Sequence, residues 1–421
     1  MSNSFSKEER VAFEDVLEGF NDALVLSKNV SLFRTDQTDM VRSNDIVWRP
    51  MPYVARSFDG MDQTANFRNA TQLSVPATIG FRRSSPWVMD ASELRDALQE
   101  GRLGDAAKQK LASDINVAIM NVASSQGTLV VRRPGAATGF DDVADCDAVM
   151  TEIGVQDFDR YLALSSRDYT TMAGNLAARQ TLQTKTLTAY EKAHIGMIAS
   201  FDTFKLDYAN RLLAAGGGAI TINTLNAGPN HYTPVSTRTA VTGEMSNVDN
   251  RVQLVTVSAT ANVRAGDAFT IAGLNSVHLI TKNDTGQLKT FRVIAVNSAT
   301  TMTISPPIIT NQVPSDAAAQ YQNCVINTPL ATSAIVWLNT AAAAINPFWQ
   351  KDALEILPGR YAIPTDAGAG IMRARTDQGI ELVMQKQYDI GTMHTRFRMD
   401  VAYGVVNKQP EMSGILLFGQ P

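Results

Sequence analysis

Phe291-Arg292-Val293-Ile294-Ala295-Val296-Asn297-Ser298-Ala299-Thr300-Thr301-Met302-Thr303-Ile304 is the most informative stretch of this chain. An apolar run, a polar four-residue turn and an alternating return describe a β-hairpin. Upstream, Phe269 and Ile271 alternate after a predicted turn at Arg264-Ala265-Gly266-Asp267. Before them, Val252, Leu254, Val255 and Val257 form a further strand-like run. Residues 217 to 336 therefore read as an all-β module rich in Thr, Asn and Ser. Gly216-Gly217-Gly218 reads as its flexible lead-in, because no lysine follows to make a phosphate-binding loop.

The flanks have a different character. Leu111, Ile115, Ala118, Ile119 and Val122 recur at helical spacing. They predict a spine helix from an N-cap at Ser92 to Ser125, about 50 Å long if continuous. Gly101 and Gly104 are expected to bend or divide it. Between 44 and 90, prolines at 50, 52, 76 and 86 forbid a long helix. Two short strands are expected there, Gln72 to Val75 and Ala77 to Arg82, paired as an extended hairpin. Residues 131 to 215 read as mixed α/β: Asp142 caps a helix reaching Ile153, Tyr161 to Leu164 make a buried strand, and Ser166 caps a helix to Ala178. The mixed pattern resumes after 337 with Pro347-Phe348-Trp349, Tyr388 to Val406 and Ile415 to Phe418. The β module thus interrupts an α+β chain as an insertion would.

At the other end, residues 7 to 28 predict an amphipathic helix. Val11, Val16, Phe20 and Leu24 form its stripe, widened by Phe13 and Leu17, and Glu14, Asp15 and Glu18 lie on its acidic face. This arm is too short to bury its stripe alone and needs a surface to dock on.

Composition limits the function. The chain has 421 residues, 44% of them hydrophobic and only 19% charged, with a net charge of -4. Such a balance disfavours tight grip on nucleic acid by an isolated subunit. Cys146 and Cys324 make no C-x-x-C pair and are expected to be reduced. His194, His231, His278 and His394 share no metal-ligand spacing. No nucleophile elbow and no zinc-protease helix is found. The chain is therefore expected to be no enzyme and to need no cofactor or metal. The first residues, with Lys7, Glu8, Glu9 and Arg10, lack an apolar signal core, so no leader is expected. No stretch reaches the ~18 apolar residues of a membrane helix, so no membrane partner is expected either.

Several segments resemble the coat proteins of the short-tailed Salmonella phage P-22 type. They are Ser43-Asn44-Asp45-Ile46-Val47-Trp48-Arg49-Pro50, Asn247-Val248-Asp249-Asn250-Arg251, Val255 to Thr260, Arg264 to Asp267, Asn346-Pro347-Phe348-Trp349 with Asp352-Ala353, Arg398, Tyr403-Gly404-Val405 and Gly419-Gln420. Each motif is weak alone, and their shared order along nearly the whole chain is what makes the match specific. The resemblance implies an α+β, Hong Kong 97-like capsid fold with an inserted, barrel-like β domain. It implies an N-terminal arm at 1–43, an extended loop at 44–90, and a peripheral domain with the spine helix at 91–130. It further implies an axial domain at 131–216, the inserted domain at 217–336, an axial and hinge return at 337–400, and closing peripheral strands at 401–421.

The function implied is self-assembly, in the bacterial cytoplasm, into pentamers and hexamers of an icosahedral shell enclosing double-stranded phage DNA. Assembly would pass through a procapsid built on a scaffolding protein, with a portal protein at one vertex, and the shell would then expand. DNA contact would be weak and non-specific. Glu14, Asp15 and Glu18 are the implied scaffold-binding residues, and Arg238, Glu244 and Asp249 the implied contacts between capsomers. The extended loop has no lysine, so no covalent cross-link between subunits is expected. Two other readings remain at this point: an encapsulin-like compartment shell, which lacks such an insert, and a secreted β-rich binding protein.

Overall fold

The computed structural model describes residues 7–33, 46–52, 54–67, 70–90, 97–178, 195–206, 208–223, 230–310, 312, 315–326, 332–363 and 370–421. Ser92, His194 and the Ser43-Asn44-Asp45 end of the loop motif lie outside them. The chain divides into two compact units. One takes Met1–Val47, Ala77–Met120 and Leu354–Val406; the other takes Trp48–Pro76, Asn121–Ala353 and Asn407–Pro421.

In the first unit, helix α1 (Lys7–Ala23) ends earlier than expected, and a 3-10 turn follows at Leu26–Asn29. Phe13, Val16, Phe20 and Leu24 are buried, while Val11 is 53% exposed. Val11 leaves the stripe because it precedes Val16 by five residues, past the three-to-four spacing that keeps side chains on one face. Helix α2 (Ala97–Gln126) runs through both Gly101 and Gly104 without dividing. Gly104 instead serves close packing: a Cβ there would lie 3.5 Å from Val16 Cγ2, so α1 rests on α2 at this point. Leu111, Ile115 and Ile119 form the buried face of α2.

The sheet of this unit runs in the order Ser31–Leu32, Leu354–Pro358, His394–Asn407, Glu381–Asp389, Gly370–Arg375, with Phe81–Asp90 also paired to His394–Asn407. Phe81 stacks on Tyr403 and Trp87 on Phe397, at 5.3 and 5.5 Å between ring centres. The Tyr403 hydroxyl donates to Asp114 O at 3.0 Å and ties the sheet to α2. The expected pairing of 72–75 with 77–82 does not occur. Ser74–Ala77 pairs with Val47–Pro50, and the chain past Gly80 joins the large sheet as the strand Phe81–Asp90. Pro86 within that strand is tolerated because His394–Asn407 is its only strand neighbour among the described residues.

In the second unit, a mixed sheet runs in the order Leu129–Arg132, Ser413–Leu417, Asn346–Gln350, Arg160–Ser165, Phe201–Leu206, Met197–Ile198. Helices α3 (Phe140–Ile153) and α4 (Ser166–Ala177) pack on it through Val143, Met150, Tyr169 and Met172. Asp142 caps α3 from its third residue, accepting from Thr138 and Gly139 N–H groups at 2.6 and 3.1 Å. The cap of α4 is Ser165, one residue before the expected Ser166: its hydroxyl accepts from Asp168 N–H at 3.2 Å.

The β module is a seven-stranded sheet in the order Thr221–Asn223, Thr332–Trp337, Ala268–Val277, Asp284–Val296, Thr301–Ser305, Gln253–Thr256, with Cys324–Ile326 also on Ala268–Val277. A bridge between Ile222 and Val257 brings its two edges together into a near-closed barrel. Phe269, Phe291, Val293, Met302 and Ile304 fill its interior, all 0% exposed. The predicted hairpin at Phe291–Ile304 supplies two neighbouring strands of this barrel. Of the three glycines before it, Gly217 has a packing role. A Cβ on Gly217 would meet the Trp337 ring at 2.6 Å, so glycine is there to let the indole approach.

Candidate functional site

Two exposed features carry the residues implied as contacts. On α1, the buried stripe turns Glu14, Asp15 and Glu18 outward, and all three are exposed. Three carboxylates within five residues on one solvent face make a local negative field, suited to a basic helix or segment. That field is screened over roughly 8 Å at physiological salt.

The second feature is a two-stranded ribbon, Thr237–Thr239 with Met245–Asn247, whose residues 236 to 247 are all exposed. Arg238 lies opposite Ser246, and Glu244 O accepts from Ala240 N–H at 2.8 Å in the turn. Val241 and Met245 are 107% and 67% exposed. A ribbon with neither face covered is marginal in water and gains order from a partner surface. Asp249 is placed differently. It sits at the base of the ribbon, where its two oxygens accept from Arg251 Nε at 2.9 Å and a terminal Arg251 nitrogen at 2.7 Å. Arg251 also donates to Asn407 O at 2.8 Å. Asn250 closes the same base, exchanging hydrogen bonds with the backbone of Val235 at 3.2 and 2.9 Å.

The extended loop exposes Phe58, Met61 and Phe67. It is braced by α5 (Asp316–Tyr321) of the β module: Arg56 meets Asp316 at 3.5 Å, Thr71 N–H donates to Gln320 at 3.2 Å, and the Tyr321 hydroxyl donates to Thr71 O at 2.8 Å. This brace has no local sequence signal, because its partners are some 250 residues apart.

Buried cations fasten the barrel to its own unit. Arg292 is 1% exposed and donates to Gly266 O at 2.9 Å and Gly127 O at 3.2 Å. Burial pulls its pKa down to about 10, with Asp267 opposing. The Thr290 hydroxyl donates to Thr128 O at 2.8 Å. Lys289, 1% exposed, pairs with Glu411. Lys282 donates to Gln322 O at 3.1 Å nearby, and burial holds its pKa down at about 8. The sequence reading missed this set. Arg292 and Lys289 sit in a strand, where a polar residue ordinarily marks the solvent side.

The cysteines are free and buried, as expected, and burial pushes the Cys324 thiol up to about 12. Among the described residues no group of three or more His, Cys, Asp or Glu is placed to hold a metal. No described helix is long and apolar enough to cross a membrane.

A family model described as P22 coat protein, gene protein 5, matches residues 1–419. Among solved structures, the CUS-3 coat protein I-domain is 40% identical, over 29% of this chain and 96% of that chain, with a TM-score of 0.22. A chain of Mycobacterium phage Che8 is 10% identical, over 93% and 90%, with a TM-score of 0.45. A chain of a virus-like particle from Pyrococcus furiosus is 10% identical, over 95% and 95%, with a TM-score of 0.39.

Proposed function

The chain belongs to the P22 coat protein family, and on that premise we propose that the acidic face of α1 recruits a basic segment of a scaffolding protein during shell assembly. The chain is a major capsid protein, a structural subunit of an icosahedral phage shell. Its α+β, Hong Kong 97-like fold carries an inserted β-barrel domain. In our reading, the exposed ribbon crosses to a neighbouring capsomer, with Arg238 on its strand and Glu244 in its turn as ion-pairing residues and Asp249 holding its base. The portal protein occupies one vertex, the DNA inside is held by weak non-specific contact, and assembly takes place in the host cytoplasm. Many weak contacts suffice, because closed symmetry and multiplicity make the shell stable.

The observation that carries the scaffold reading is the orientation of α1. Its stripe is already buried, so Glu14, Asp15 and Glu18 face solvent on an element fixed to the subunit. Each exposed pair is worth only about 0.2–1 kcal/mol, yet the term repeats in every subunit. The double variant Glu14→Lys, Asp15→Lys should leave the subunit folded and slow scaffold-assisted assembly, read by light scattering with purified scaffold at low and moderate salt. Unchanged rates and unchanged scaffold content would remove this face from the assembly pathway.

A further inference from the structure

Beyond these surfaces, one buried cluster brings together an amine, a carboxyl group and a primary amide. Lys289 lies on Asp284–Val296, and its Nζ donates to Glu411 Oε1. Glu411 belongs to the 3-10 turn Pro410–Met412. The same Oε1 accepts from Asn323 Nδ2 at 3.2 Å. Asn323 immediately precedes the strand Cys324–Ile326, and both it and Lys289 are 1% exposed. The Asn323 carbonyl oxygen accepts from Ile309 N–H at 3.2 Å and from the Cys324 thiol at 3.0 Å. Its amide nitrogen also donates to Pro307 O at 3.0 Å.

We propose that Lys289 and Asn323 join in an intramolecular isopeptide bond, with Glu411 as the proton-transfer group. Lys289 passes a proton to Glu411 along the hydrogen bond that already joins them. The neutral Nζ then attacks Cγ of Asn323. Negative charge develops on Oδ1, where the Ile309 N–H and the Cys324 S–H already point, as donors of an oxyanion hole do. Glu411 gives its proton to the departing Nδ2 and takes the surplus proton from the attacking nitrogen. The Cγ–Nδ2 bond breaks, and ammonia leaves with that proton as ammonium. One ammonium side chain and one primary amide become one secondary amide and one ammonium ion, with no oxidant or metal needed.

The arrangement has a built-in order of events. Lys289 and Asn323 belong to the inserted module, whereas Glu411 comes from the last segment of the chain. The bond therefore forms only after that segment has docked, and it records docking covalently. Because it lies within one chain, it adds no link between subunits.

The test is the intact mass of the purified full-length chain, with proteolytic mapping of Lys289 and Asn323. The expected mass is that of the sequence less one ammonia, with a branched peptide carrying both residues. Glu411→Gln and Asn323→Ala should each keep the full mass of their own sequences. A wild-type chain at its full sequence mass, with the two residues in separate peptides, would overturn the proposal. So would an ammonia loss that leaves Lys289 open to trypsin.

Discussion

Arg160 is fully buried with every nitrogen engaged. Nε donates to Gln156 O at 2.9 Å; the terminal nitrogens reach Asp147, the Thr151 hydroxyl at 3.2 Å and Val155 O at 2.6 Å. It thereby satisfies carbonyls of the segment that follows α3. Asp147 in turn accepts from Ser200, whose φ of 65° puts it in the left-handed region. Replacing Arg160 by Ala strands these groups, and the expected loss is about 3–5 kcal/mol, read from the denaturant midpoint of the subunit. A loss under about 1 kcal/mol, the range of an exposed pair, would show that the cluster is not buried as described.

Lys282 gives a pH dependence of defined sign. Burial chiefly lowers its pKa from 10.5 to about 8, against the opposing charge of Glu411. Between those two values the folded chain has released a proton that the unfolded chain still holds. Stability attributable to Lys282 therefore rises with pH across this window and levels off above it. Lys282→Gln should flatten that rise in urea titrations between pH 8 and 10.5.

Among the elements, two glycines separate packing from helix propensity. A Cβ on Gly404 would lie 2.2 Å from Thr78 O, a backbone atom that cannot swing aside. A Cβ on Gly104 makes only an ordinary 3.5 Å contact with Val16. Gly104→Ala should therefore raise the melting temperature slightly, by up to about 1 kcal/mol in stability, while Gly404→Ala should lower it. The barrel, with its interior filled by its own strands, is expected to fold as the isolated fragment 217–336 with a cooperative β-type transition. A disordered circular dichroism spectrum would contradict that.

These elements also show what was legible in the sequence. Alternation marked the barrel strands, because Phe269, Ile271 and Val293 point into a closed interior. The α2 stripe was legible for the same reason. Three things were not. Gly217 looked flexible because Trp337, the ring it admits, lies 120 residues away. The strand Phe81–Asp90 was hidden by Pro86, and its partner follows 300 residues later. The burial of Arg292 and Lys289 carried no local signal, because the groups that make it tolerable, Gly127 O and Glu411, are remote in sequence. Of the implied contact residues, the spacing on α1 foretold the outward face of Glu14, Asp15 and Glu18. Nothing local foretold that Arg251 would engage Asp249 on both oxygens.

At the scale of the whole molecule, function lies in assembly. The extended loop offers no lysine, so mature particles boiled in detergent should run as one monomer band, and the internal bond proposed above would leave that band single. The most direct measurement is negative-stain microscopy of the purified chain co-expressed with the proposed scaffolding partner. Closed icosahedral particles, with this chain as the principal subunit, are the predicted result. A well-folded chain that stays monomeric under those conditions would contradict its reading as a shell-building coat protein.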